Sequence, residues 1–245
     1  MAVLVTRPSP DDGATAAALR ALGIEALLAP MLRFEAVSFA DDATAYDGVI
    51  ATSANALRAV ADHPAGMEWR RGPLFAVGAH TAEAARALGF DAVIAGSRGA
   101  AELPALIAAH FASHAARGRP TLLHLAGADL AQDLSGPLDA RGIDVTVRTV
   151  YRMAAIAHLS QETRDAFAAG RIDAILHFSR RSAEAFVAAA RADGVEITAL
   201  ALPQCCLSDA VAAVMREAGA ARIVVAETPN EAAMLEAVTR ALRQS

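Results

Sequence analysis

The sequence contains no lysine; all 22 basic residues are arginine. That excludes any reaction needing a Schiff-base amine and any phosphate loop ending in lysine. Cysteine is nearly as scarce. The only two, Cys205 and Cys206, are adjacent, and sequence neighbours do not close an unstrained bridge, so no disulfide framework is expected. No C-x-x-C, H-E-x-x-H or G-x-S-x-G pattern occurs, and these carry the common redox, zinc-hydrolase and serine-hydrolase chemistries. G-x-G-x-x-G is missing too, and with it the usual dinucleotide fingerprint. Aromatic residues make up only 4% of the chain, so the core must come from alanine and aliphatic side chains. No stretch reaches the roughly 20 apolar residues that span a bilayer. The opening residues, MAVLVTRPSP, hold too short an apolar run for a secretory leader. A cytoplasmic protein without membrane association is therefore expected. The formal charge of -5 lacks the basic footprint of a nucleic-acid-binding protein.

What is present is ample apolar material: 55% of 245 residues, enough for one large domain or two smaller ones. Short aliphatic runs alternate with longer Ala/Leu/Arg/Glu stretches of helical period. Strands are expected at Val3 to Thr6, Ala26 to Leu28, Gly48 to Ala51, Leu74 to Val77 and Ala92 to Ala95, and a helix at Ala14 to Leu22, stopped by Gly23. Such alternation predicts a parallel α/β architecture, and continuous apolar strands predict helices on both sheet faces. The second half echoes the first in four ordered blocks. VLVTRP and LGIEALLAP resemble TLLHLAG and RGIDVTVRT. YDGVIATSANALRAV resembles IDAILHFSRRSAEAF, and FAVGAHTAEAARALGF resembles CCLSDAVAAVMREAGA. DAVIAGSRGAAELPALIAA resembles ARIVVAETPNEAAMLEAVT. The chain thus reads as an internal duplication of one α/β unit. MLRFEAVSF and VRTVYRM are extended, free of glycine, and suited to connect two domains.

Ligands of open α/β sheets bind beyond the carboxyl ends of the strands. There the sequence places Arg7; Thr52, Ser53 and Asn55; Gly78 and Thr81; Ser179 and Arg180; and Ser208. Ser, Thr and Asn at such points also cap helices, and an arginine there can simply be solvated. The same small polar turn nevertheless stands in both halves. Helix N-termini attract anions, and Arg7 can add a charge-assisted hydrogen bond, so a ligand with many carboxylates fits this pattern. Tyr151, in TVYRM, can donate a phenolic hydrogen bond or serve as an amphipathic packing residue. His110 and His114, four apart, read as a solvated helix end rather than a metal pair, and His124 and His177 as core or strand-end residues. No metal site is expected.

The ordered set VLVTRP, GIEALLAPMLRFE, YDGVIATSANA, FAVGAHTAEAARALG, GIDVTVRTVYR and DAILHFSRRSAEAF resembles the uroporphyrinogen-III synthase family from about Val3 to about Ala241. The resemblance implies two flavodoxin-like parallel-sheet domains joined by a two-stranded β connection. One would be discontinuous, 1–32 plus 154–245; the other would be 36–148, with connections at 33–35 and 149–153. It also implies a cofactor-free reaction. Hydroxymethylbilane loses its hydroxyl as water and cyclises through a spiro intermediate with inversion of ring D, where the unassisted bilane closes without inversion. Tyr151 matches the tyrosine proposed to assist departure of the hydroxyl, and Thr52, Ser53, Gly78, Thr81 and Ser179 match the strand-end turns. After the strand at Cys205 the family turn often carries further hydroxyls, whereas this chain has Ser208 followed by Val211. A monomer is expected, with transient contact to hydroxymethylbilane synthase as a possible partnership. The rival reading is a non-catalytic two-domain small-molecule binding protein, since fold alone does not specify chemistry.

Overall fold

A computed structural model describes residues 1–40, 44–97, 99–113, 118–129 and 132–243. The chain divides into two compact units, Met1–Arg33 with Ala154–Ser245, and Phe34–Met153. Its strands are β1 (Ala2–Val5), β2 (Glu25–Leu28), β3 (Leu32–Ala36), β4 (Gly48–Ala51), β5 (Leu74–Val77), β6 (Val93–Gly96), β7 (Thr121–Gly127), β8 (Asp144–Ala155), β9 (Ile172–His177), β10 (Pro203–Cys206) and β11 (Arg222–Val225).

The first unit holds a five-stranded sheet in the order β11-β10-β9-β1-β2, parallel throughout. Every residue of β1 and β10 is buried, the signature of a sheet covered on both faces. Val3, Val5, Leu176 and Cys205 pack with Met234 and Val238 of the helix Glu231–Arg243. That helix turns Met234, Ala237, Val238 and Ala241 inward at helical spacing. Both cysteines are free and buried, and burial pushes each thiol up to about 12. The first helix spans Asp11–Ala21, so it begins earlier than its apolar pattern implies. Asp11 and Asp12 occupy its first turn, where negative charge favours the helix dipole. It ends as expected at Gly23, whose φ of 73° lets its N–H and that of Ile24 reach back to Arg20 O and Leu19 O.

The second unit holds a six-stranded sheet in the order β3-β8-β7-β4-β5-β6. The last five strands run parallel. Val37 N donates to Val150 O and Ile156 N to Met31 O, so numbers rise along β3 as they fall along β8 and the pair is antiparallel. Val49, Ala51, Leu123 and Leu125 serve one core, Ile50, Phe75 and Leu122 the other. Residues one apart on a strand face opposite ways, so two cores are what a doubly covered sheet requires. On the helix Leu103–Ser113, Leu103, Ile107 and His110 share one face. His110 is accordingly half-buried, edge-on to Phe75 at 5.5 Å, not solvated as the sequence suggested. His114 lies outside the described residues.

Paired as the sequence blocks pair them, β1 with β7, β2 with β8, β9 with β4, β10 with β5 and β11 with β6, the two units have one strand order. The arrangement β11-β10-β9-β1-β2 becomes β6-β5-β4-β7-β8, the order of the second unit's parallel strands. The halves are the same sheet, entered by the chain at different strands.

Candidate active site

In each sheet the parallel strands end at one edge, and the chain reverses its direction of winding between two central strands. These are β1 and β9 in the first unit, β7 and β4 in the second. Crevices at such switch points are the usual ligand sites of open α/β sheets.

At the first switch point Arg7 follows β1 and is already engaged. Its guanidinium lies 3.3 Å from Asp11 and 3.7 Å from Glu231, donates to Thr15 Oγ1, and sits 4.7 Å from the Phe178 ring centre. Thr15 in turn donates to Glu231 at 2.6 Å. Ser179 caps the helix Arg180–Ala192, its Oγ accepting from Ser182 N at 3.1 Å and donating to Ser182 Oγ at 2.9 Å. Removing that cap as Ser179→Ala is expected to cost about 1 kcal/mol of stability, read as a lower urea midpoint with the fold retained. Arg180 is exposed and pairs with Glu184 at 3.4 Å. Ser208 holds the capping position of the helix Asp209–Glu217 without a side-chain cap bond.

Beneath this edge lies a buried polar chain. His177 is fully buried; its Nε2 meets Gln204 Oε1 at 2.9 Å and its Nδ1 lies 3.3 Å from Thr6 Oγ1. The Gln204 amide donates to Ala199 O and Leu202 O, so its oxygen faces the ring and the proton belongs on Nε2. Burial drives the His177 pKa down to about 4, against the opposing Gln204 hydrogen bond.

At the second switch point Ser53 caps the helix Ala54–Ala59, accepting from Asn55 N at 3.2 Å. Thr52 is half-buried beside it. The Asn55 amide donates to Met153 Sδ at 3.9 Å. Gly78 opens the helix Gly78–Ala87 with φ of 76°, a conformation that favours glycine, and Thr81 is buried one turn on. Tyr151 lies half-buried on β8, where the register slips: Ala126 faces Thr149 but Gly127 faces Tyr151. This bulge passes over Val150 and re-aims the tyrosine. Ala128 N donates to Tyr151 O at 2.9 Å. The phenol ring stacks on Phe34, with centroids 5.8 Å apart, and Arg58 covers Phe34 at 3.7 Å. Below the edge, His124 is 1% exposed, and neither ring nitrogen has a hydrogen-bond partner among the described residues. Burial lowers its pKa to about 4, with Asp133 opposing.

Arg7, Ser179, Arg180 and Ser208 thus belong to the strand-end edge of one unit, and Thr52, Ser53, Asn55, Gly78, Thr81 and Tyr151 to the second. Phe34, Arg58 and Gly127 join the tyrosine without any motif to mark them. Their signal is a pairing register and a ring contact across more than a hundred positions. Among the described residues no three His, Cys, Asp or Glu side chains gather to hold a metal ion. None of the described helices is long and apolar enough to cross a membrane.

Two parallel α/β units of one strand order, with polar turns and a phenol at the strand ends, define a two-domain α/β protein of the kind that holds a small polar ligand. The family model for uroporphyrinogen-III synthase HemD matches residues 13–236, and the chain belongs to that family. Among solved structures, uroporphyrinogen-III synthetase from Helicobacter pylori is similar at 17% identity and a TM-score of 0.64, over 97% of this chain and 98% of that one. A mutant uroporphyrinogen III synthase from Thermus thermophilus is similar at 19% identity and a TM-score of 0.52, over the full length of both. At such identities these two show a shared fold. No curated protein matches by sequence. Family membership makes the chain a cyclising lyase of tetrapyrrole, and so haem, biosynthesis acting on a small molecule, and nothing favours the non-catalytic binding protein.

Proposed function

We propose that Tyr151 assists departure of the hydroxyl when hydroxymethylbilane is cyclised to uroporphyrinogen III, and that the strand-end turns hold the substrate's carboxylates. The observation carrying this reading is the tyrosine's setting. Its ring is stacked against Phe34 on a bulged strand, at the edge where the parallel strands end. The phenol gives its proton to the leaving hydroxyl, which departs as water and leaves a protonated azafulvene and a phenolate. The substituted carbon of ring D attacks to give the spiro intermediate. Fragmentation and reclosure invert the ring, and the proton lost at the final closure restores the phenol. A phenol is a weak acid, and it fits assistance to a leaving group that the pyrrole already expels.

The harder task is conformational, because the bilane closes without inversion unassisted. The enzyme must hold one arrangement in which spiro closure wins. Backbone N–H groups after Thr52, Gly78, Ser179 and Ser208 suit carboxylates, as helix N-termini do in general. Arg7 serves as a carboxylate contact only by exchanging Asp11 or Glu231 for substrate. We take the enzyme to work as a cytoplasmic monomer without metal or cofactor, with transient contact to the hydroxymethylbilane synthase that supplies its unstable substrate.

The test is a coupled assay in which porphobilinogen and hydroxymethylbilane synthase generate the bilane and the oxidised products are resolved by isomer. Isomer III is expected in proportion to added protein, unchanged by a chelator added after bilane formation. Isomer I alone from folded protein would refute the assignment, and activity lost to chelation and restored by a metal would refute the cofactor-free reading.

A further inference from the structure

Gly127 closes β7, and its backbone gives no reason for glycine: its φ is not positive, unlike that of Gly78. The reason lies across the bulge. A Cβ built on Gly127 would stand 2.8 Å from Tyr151 Cζ, 2.9 Å from its Oη and 3.1 Å from its Cε1. Even the smallest side chain therefore collides with the working end of the phenol. The ring's other neighbours narrow its escape. Phe34 is stacked on it, and the Tyr151 backbone is tied to β7 by the Ala128 hydrogen bond.

We infer that Gly127 is a positioning residue for the reaction: the missing side chain is the space in which the Tyr151 phenol is held at its working position. The inference rests on the reading that Tyr151 serves the chemistry. A methyl group at residue 127 displaces Oη by a substantial fraction of an ångström, and displacements on that scale cost enzymes roughly ten- to a hundredfold in rate. Because the displaced atom meets the reacting hydroxyl rather than the carboxylates, the loss falls on kcat and leaves KM nearly unchanged.

The experiment is a double-mutant cycle with Gly127→Ala, Tyr151→Phe and the pair, measured as kcat and KM for isomer III formation, with a melting curve for each variant. The expected result is a kcat loss for Gly127→Ala of roughly tenfold or more at near-constant KM, and little further loss when it is added to Tyr151→Phe. Wild-type kcat in Gly127→Ala, with Tyr151→Phe impaired, would overturn the positioning role and leave the tyrosine's role standing. A fully active Tyr151→Phe would instead sink the tyrosine reading itself. An equal loss from Gly127→Ala in both backgrounds would show that Gly127 acts on something else. Should Gly127→Ala fold poorly, Gly127→Ala with Tyr151→Ala removes the ring that the methyl strikes. A melting temperature no lower than that of Tyr151→Ala alone supports the collision, and an undiminished further loss refutes it.

Discussion

Tyr151→Phe is expected to lower kcat for isomer III formation by about a hundredfold, the lower end of what a positioned proton donor contributes. The substitution removes one oxygen and keeps the ring. Phenylalanine retains the stack on Phe34 and the backbone bond from Ala128, so the melting temperature should hardly move. KM should also stay close to its starting value, because the strand-end turns proposed to hold the carboxylates are untouched. The product ratio adds a second readout. Slow spiro closure lets more bilane escape to unassisted ring closure, so isomer I should rise as isomer III falls. Undiminished turnover in the folded variant would make the tyrosine a packing residue.

A comparable effect is expected on stability as pH falls. His124 and His177 are buried and held neutral, each with its pKa near 4 against an ordinary 6.5. Above pH 6.5 both are neutral folded or unfolded, and neither makes stability depend on pH. Between 6.5 and 4 the unfolded chain binds protons that the folded chain refuses, so stability drops with falling pH. The slope approaches about 1.4 kcal/mol per unit for each histidine. From pH 7.5 to 4.5 the pair together should cost about 5 kcal/mol, seen as a falling urea midpoint. His124→Leu separates the two. It replaces a ring whose nitrogens lack partners among the described residues, so it should not destabilise at pH 7.5 and should remove about half of the slope. A midpoint indifferent to pH across this window would show that the two rings accept protons without penalty.

The strands GVIA and LFAV stand where the sequence suggests because short apolar runs are bounded by breakers and polar turns, and that information is local. The shared strand order of the two units was foreshadowed by the four repeated blocks. Ser53 and Ser179 were legible as strand-end hydroxyls, and in the fold both spend their oxygens on capping. Other features required the pairing itself. Arg7 can be read as an arginine after a strand, but Glu231, which partly neutralises it, is far away in the chain. Gly127 resembles any glycine at a strand end until a one-residue slip in β8 sets it opposite Tyr151. A histidine in an apolar run does not announce whether it will find partners; His177 finds Gln204, and His124 finds none among the described residues.

The divided first unit also bears on how the protein is made. β1 pairs with β9, Ala2 lying against Ile172, whereas all of Phe34–Met153 lies together in the chain. A ribosome adding on the order of 5–20 residues per second delivers the whole second unit before the first can close its sheet. β1 and β2 must therefore wait, apolar and unpaired along one edge, for several seconds to tens of seconds. The contiguous unit is expected to fold first on the nascent chain. The N-terminal strand–helix–strand segment is then the stretch most in need of a chaperone, and the last to become resistant to protease during synthesis.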